Sequence, residues 1–297
     1  MSDQNNPSVD DEPRKLRGSM RDQDKIQQLK KNYYFADPPF DQLMKCRINK
    51  ILLICSNYDA FMLEEDGRID EQIFNEYVSL NLRYPPQFIQ ADSSREAYDI
   101  LREGQIDLII NMLSVQDRDP FELTKEIKEQ YPQIPIVVLT PFSREVSVKL
   151  EQEDLSAVDH VFCWLGNADL LLAIIKLIED KMNVEDDVAA VGVQVIILVE
   201  DSIRFYSSYL PNIYKIIFNQ SKEFMQEGLN EHQKMLRMRG RPKILLANTY
   251  EQTLKYYIKY KHNLLGIITD IAYNKGGVIY DKAGIQLCKK VKDNDHL

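Results

Sequence analysis

Three carboxylates stand where short apolar runs end. Glu200 and Asp201 follow Val195-Ile196-Ile197-Leu198-Val199, and Asp270 follows Leu265-Gly266-Ile267-Ile268-Thr269. Oxygen donors grouped in this way suit a hard, octahedral Mg²⁺ ion, which offsets the charge on an incoming phosphoryl group. One acid can then act as nucleophile and form an acyl phosphate. The competing reading is that strand-end acids are solvated turn residues. That reading is stronger for a single acid than for Glu-Asp-Ser after one strand with Asp after its neighbour.

Other chemistry is sparse. Cys46, Cys55, Cys163 and Cys288 lie far apart with no CxxC spacing, and His160, His232, His262 and His296 show no ligand spacing. Three of the cysteines sit in or beside apolar runs, so buried thiols in a reducing cytoplasm are expected. Gly276-Gly277 lacks the GxxxxGK[ST] context of a phosphate-binding loop and reads as a turn. The basic run Arg237 to Lys243 reads as a solvated helix end facing an acidic linker.

The elements that must position the acids alternate. Strands are expected at Ile51–Cys55, Phe88–Ala91, Leu108–Asn111, Ile136–Thr140 and His160–Cys163, with helices near 69–80, 94–103, 121–130, 144–152 and 168–182. Ser93 and Asn167 are candidate N-caps, and Gly104 a helix stop. Residues 183–192 lose the periodicity and carry three consecutive acids, so they read as a linker. A second cycle follows, with strands from Val195, at Lys243–Ala247 and at Leu265–Thr269, and a helix near 284–292. Helices are also expected under the aromatic stretches Tyr206 to Ile217 and Tyr250 to Tyr260.

The two cycles form a degenerate repeat. Ile51–Cys55 corresponds to Ile196–Glu200, Asp107–Met112 to Leu265–Asp270, and Pro120–Leu123 to Gly284–Leu287. The offset grows through 145, 158 and 164, so the second copy carries insertions. The expected fold class is α/β, with tandem flavodoxin-like doubly wound parallel sheets in strand order 2-1-3-4-5 and the second copy incomplete. In that order the first and third strands are neighbours, which brings Glu200, Asp201 and Asp270 to one crevice.

Composition narrows the function. The chain has 297 residues, which predicts about two domains. Lys and Arg number 37 against 46 Asp and Glu, a net charge of −9. That balance argues against general affinity for nucleic acid or anionic membrane. Hydrophobic residues make up 44%, enough for packed cores. The longest nearly apolar stretch, Val188 to Val199, is about twelve residues, where a membrane span needs about twenty. The polar start carries no secretory signal. The expected organisation is a flexible arm over 1–45 with a docking helix around Ile26 to Tyr34, a first module over 46–182, the linker 183–192, and a second module over 193–297.

Val199-Glu200-Asp201-Ser202 and Ile267-Ile268-Thr269-Asp270 resemble the acidic pair and phosphoacceptor of response-regulator receiver domains, the CheY-like family. The resemblance implies Glu200, Asp201 and Asp270 as Mg²⁺ ligands, Asp270 as the phosphorylated aspartate, and a histidine kinase or phosphotransfer protein as partner. Ile271-Ala272-Tyr273-Asn274 departs from the Met-Pro the family places after its acceptor. The family's Thr/Ser after strand four and Lys after strand five are expected beyond Leu297, leaving the second module truncated before its fourth strand. Strand Leu265–Thr269 is then an open apolar edge that allows pairing with another chain, including a homodimer.

The first module resembles the same family in fold but not in chemistry. Cys55 and Ser56 stand at the acid-pair positions, Met112 at the acceptor and Trp164 at the lysine, while Thr140 matches the switch threonine. It is read as a pseudo-receiver. Phe35 to Met44, Arg47 to Ile54 and Tyr58 to Arg68 are also similar to the N-terminal regulatory region of large bacterial phosphoenolpyruvate synthase-like proteins. That likeness implies a downstream catalytic part. The remaining alternative is a phosphorylation-independent interaction scaffold.

Overall fold

The computed structural model describes residues 42–294 except 68, 81, 83, 116, 142–152, 165–167, 224–233 and 235–237. The expected helices around Ile26 to Tyr34 and at 144–152, and the expected cap Asn167, lie outside the described residues. The arm expected over 1–45 is shorter than that boundary implies, because Leu43 and Met44 are buried in the core.

Strands β1 (Lys50–Ile54), β2 (Gln87–Ala91), β3 (Leu108–Asn111), β4 (Ile136–Pro141) and β5 (His160–Trp164) form one sheet in the order β2-β1-β3-β4-β5. All four pairings are parallel. This is the doubly wound flavodoxin-like order that the alternation of elements predicts. The strands are runs of Ile, Leu and Val, and β3 is buried at every position because helices cover both faces.

Helices α1 (Asn57–Gly67), α2 (Ile69–Ser79), α3 (Ser94–Glu103) and α4 (Pro120–Gln130) fill the connections. Ser93 caps α3 by accepting from the Glu96 N–H, and the Gly104 N–H closes it onto the Ile100 carbonyl. Helix α1 has no counterpart among the expected elements.

The next helix, α5 (Asp169–Val191), replaces the expected linker. It runs 23 residues, about 35 Å at 1.5 Å per residue. Gly192 ends it in the left-handed region at φ 71°, its N–H donating to the Val188 carbonyl. Its first half, Leu170 to Ile178, is buried all round. Its second half carries a polar stripe of Glu179, Asp180, Asn183 and Asp187, also buried, because each group meets a partner distant in sequence. Glu179 accepts from the Ile48 N–H, Asn183 from the Cys46 N–H, and Asp187 from the Met44 N–H.

Beyond α5 come β6 (Val195–Val199), α6 (Ile203–Glu223), β7 (Lys243–Ala247), α7 (Tyr250–Tyr260), β8 (Leu264–Thr269), β9 (Tyr273–Lys275), β10 (Val278–Tyr280) and α8 (Ala283–Asn294). The second sheet has the order β7-β6-β8, again parallel. Strands β9 and β10 form an antiparallel hairpin whose turn, Gly276-Gly277, has both residues at positive φ (62° and 85°). Glycine suits that turn because it carries no Cβ. Along β8, Leu265 and Ile268 are about half exposed, so this apolar edge is open among the described residues.

The two sheets share a hydrophobic core. Leu53, Ile110 and Phe162 of the first cluster with Leu198, Ile244 and Leu246 of the second, with α5 and α6 between them. Helix α6 also closes the β5 edge. The Tyr206 hydroxyl donates to the Val161 carbonyl, and the Ser207 hydroxyl accepts from the Cys163 N–H at 3.0 Å. Arg241 and Lys243 of the basic run are not solvated. Arg241 forms a bidentate pair with Asp180, at 2.7 and 2.9 Å, and Lys243 lies 2.8 Å from Asp187, all four side chains being buried. No described helix is long and apolar enough to cross a membrane.

Candidate functional site

The carboxyl ends of β6 and β8 set the site. Parallel pairing puts Val199 opposite Thr269, so Glu200-Asp201 and Asp270 leave adjacent strands at the same level. The backbone continues the ladder one step further, with the Asp270 N–H donating to the Val199 carbonyl at 3.0 Å and the Glu200 N–H to the Ala247 carbonyl at 3.0 Å. The three expected residues are thus brought to one end of one sheet.

Their side chains differ in environment. Glu200 is buried, and its Oε1 accepts from the Ser202 N–H at 3.0 Å. Burial raises its carboxyl above the ordinary range, the Ser202 N–H opposes that, and the neighbouring charges of Asp270 and Asp201 raise it further. Asp201 uses Oδ2 to accept from the Asn274 N–H of the hairpin at 2.9 Å. Asp270 uses Oδ1 to accept from the Ile271 N–H at 2.6 Å. Among the described residues, no group of three ligating side chains is arranged to hold a metal ion. The donor set nevertheless suits a hard cation, being all oxygen and carrying like-charge repulsion that Glu200 registers.

Two supporting features were not anticipated. The β9–β10 hairpin reaches back to Asp201 through Asn274, and Asn274 also bridges Thr249 at the start of α7. Gly284, in the first turn of α8, packs against the loop after β8, its N–H donating to the Ile271 carbonyl at 3.0 Å. A Cβ at that position would lie 2.1 Å from the Asp270 carbonyl oxygen, so only glycine fits. Beside Asp270 an open cleft of about 350 Å³ is lined by Thr269, Ile285, Cys288, Lys289 and Lys292.

The first sheet repeats this backbone with different chemistry. Ile54 pairs with Asn111, the Cys55 N–H donates to the Ala91 carbonyl at 3.1 Å, and the Met112 N–H donates to the Ile54 carbonyl at 2.9 Å. Cys55, Ser56 and Met112 therefore occupy the positions of Glu200, Asp201 and Asp270. Burial, then the charge of Asp59, pushes the Cys55 thiol up to about 12, so it stays neutral and offers no thiolate. The Ser56 hydroxyl donates to Asp59 at 2.8 Å. Thr140 is buried at the end of β4, where Pro141 pairs with Trp164 of β5. Of the four cysteines, Cys55 and Cys163 are buried, whereas Cys46 and Cys288 are exposed, one fewer buried thiol than expected.

No protein-family model matches the chain, and no curated protein does. The similar solved structures are response-regulator receiver domains. TrrA of Thermotoga maritima, a response regulator in complex with Mg²⁺ and BeF, is 19% identical, covering 43% of this chain and 97% of its own, with a TM-score of 0.34. The phosphorylated cyanobacterial phytochrome response regulator RcpA is 27% identical, covering 45% and 92%, with a TM-score of 0.33. The signal receiver domain of a Luxo repressor protein from Vibrio parahaemolyticus is 18% identical, covering 47% and 95%, with a TM-score of 0.32. Each alignment spans less than half of this chain. The fold assignment rests on the strand order.

Proposed function

We propose that the chain is a regulatory segment of two tandem receiver-like modules, in which the second accepts a phosphoryl group on Asp270 and the first is a pseudo-receiver. One observation carries the reading. At equivalent ladder positions the second sheet presents Glu200, Asp201 and Asp270 where the first presents Cys55, Ser56 and Met112. At the position of Asp270 the first set has Met112, whose thioether cannot accept a phosphoryl group.

In the reaction, an Asp270 carboxylate oxygen attacks phosphorus as the donor's bond to phosphorus breaks, the electron pair leaving on the imidazole nitrogen of a phosphohistidine donor or on the acetate oxygen of acetyl phosphate. Glu200, Asp201 and Asp270 would hold Mg²⁺, which offsets charge on the transferring group when bound. The backbone contact of Asp201 with Asn274 and that of Asp270 with Ile271 each use one carboxylate oxygen. The donor fits a histidine kinase or phosphotransfer protein. The N-terminal likeness to phosphoenolpyruvate synthase-like regulatory regions supports a catalytic part of that kind as the output that the modification would bias.

A second reading has its own support. Asp201 is already engaged by the hairpin, as a scaffold that is never phosphorylated would have it. Incubating the chain with Mg²⁺ and acetyl phosphate separates the two. Phosphorylation predicts an intact-mass gain of one phosphoryl group, absent without Mg²⁺ and absent in Asp270→Asn. No gain would favour the scaffold, and a gain that survives Asp270→Asn would remove Asp270 as the acceptor.

A further inference from the structure

Helix α8 aligns with α4 at the constant offset of 164, so Phe121 corresponds to Ile285, Lys125 to Lys289 and Lys128 to Lys292. In the first module those three side chains hold the strands that follow β3. Phe121 packs against Val138 of β4 and Val161 of β5. Lys125 Nζ lies 3.8 Å from Asp154 and Lys128 Nζ 2.9 Å from Asp159, both acids standing ahead of β5. Lys128 also donates to the Ile134 carbonyl at 2.9 Å, where the chain enters β4.

In the second module the same positions face an open cleft. Ile285 is about half exposed, and Lys289 and Lys292 line the cleft of about 350 Å³ beside Thr269 and Asp270. Neither lysine has a carboxylate partner among the described residues. The neighbouring backbone is open as well. Ile109 of β3 donates its N–H to the Pro135 carbonyl, just ahead of β4, at 3.0 Å, and Ile267 is its counterpart on β8. The Asp270 N–H turns toward β6, so alternation along a parallel strand turns the N–H groups of Ile267 and Thr269 to the other side. No strand pairs with β8 on that side among the described residues.

We propose that this cleft is a docking site for a partner segment that adds a parallel strand to β8. The first module specifies the chemistry of the occupant. It is an apolar strand lying along Ile267 and Thr269, with a β-branched side chain over Ile285 and carboxylates at its entry against Lys289 and Lys292. A second copy of the chain does not supply this, since closed two-fold symmetry pairs β8 with β8 antiparallel. Docking of the segment does not depend on phosphorylation of Asp270.

The probe is strand β4 itself, as a labelled synthetic peptide of residues 132–141 carrying Pro132→Asp and Gln133→Asp. These changes put two carboxylates beside the carbonyl that Lys128 reaches in the first module. Titrated into the chain, the peptide should bind saturably and slow hydrogen exchange across β8. Lys292→Gln and Lys289→Gln should each weaken binding several-fold, as loss of a partly exposed ion pair does, while Lys215→Gln on α6 leaves it unchanged. All three lysines are exposed, so the variants keep the fold. The peptide without the two aspartates should bind more weakly and be indifferent to Lys292→Gln. No saturable binding, binding without protection of β8, or binding that neither Lys289→Gln nor Lys292→Gln weakens overturns the proposal. Protection of β8 that rises with chain concentration in the absence of peptide would assign the edge to a second copy and also overturn it.

Discussion

Met112 and Asp270 stand at the same place in two copies of one backbone. The Met112 N–H donates to the Ile54 carbonyl at 2.9 Å, and the Asp270 N–H donates to the Val199 carbonyl at 3.0 Å. The equivalence extends to the helices that follow the second strand of each sheet. Ser93 caps α3 while Glu96 accepts from the Asp92 N–H, and Thr249 caps α7 while Gln252 accepts from the Asn248 N–H. The repeat therefore preserves geometry where it has changed chemistry.

Gly284→Ala should destabilise the loop that follows Asp270. Its Cβ must displace the Asp270 carbonyl, and overpacking of this kind costs about 1–3 kcal/mol. Gly266→Ala on β8, where a Cβ meets nothing within 4 Å, should be close to neutral. Urea unfolding of the two variants measures the difference, and equal effects would contradict the close approach.

Asp180→Ala should be the most damaging single change near the module junction. Asp180 accepts from Arg241 twice, from the Tyr214 hydroxyl at 2.9 Å and from the Ile244 N–H at 3.0 Å. Removing it leaves a buried guanidinium unpaired, a loss of about 3–5 kcal/mol. The shared core also predicts one cooperative unfolding transition for both sheets. Two separated transitions in the native chain would contradict it.

That junction shows what the sequence conceals. The strands were legible because runs of Ile, Leu and Val mark buried parallel strands wherever they lie, and the register of Cys55 and Met112 against Glu200 and Asp270 followed from them. The helical identity of 183–191 was not legible. Glu185-Asp186-Asp187 looks like solvent-facing linker, yet Asp187 pairs with Lys243 and Asn183 with the Cys46 backbone. No local pattern reports partners so distant in sequence. Helix α1 escaped because among its described side chains Ala60 and Leu63 are buried while Tyr58 and Phe61 are exposed, so these apolar residues do not mark one face. The glycine pair marked the hairpin turn, but nothing local tied Asn274 to Asp201.

His160 should make stability fall in mild acid. Burial, aided by the nearby Lys181 charge and opposed by Asp159, holds its imidazole at about 4 against an ordinary 6.5. A folded value below the unfolded one means the unfolded chain takes the proton first. The contribution is therefore complete above about pH 6.5 and is lost as pH falls toward 4, at most about 3 kcal/mol. Denaturation across that window should be flatter for His160→Gln, and an unchanged slope would remove His160 as the cause.

Thiol reagents should modify Cys46 and Cys288 in the folded chain and spare Cys55 and Cys163 until it unfolds. Peptide mass mapping after brief labelling reads this directly. Rapid labelling of Cys55 would contradict both its burial and the raised value of its thiol.

Trapping the acyl phosphate tests the central claim most directly. After exposure to Mg²⁺ and acetyl phosphate, borohydride reduces a phosphorylated aspartate to homoserine, and tandem mass spectrometry locates it. The expected result is homoserine at residue 270 alone, lost when Mg²⁺ is withheld. Unmodified aspartate at 270, or homoserine only at other acids, would contradict the assignment of Asp270 as the phosphoacceptor.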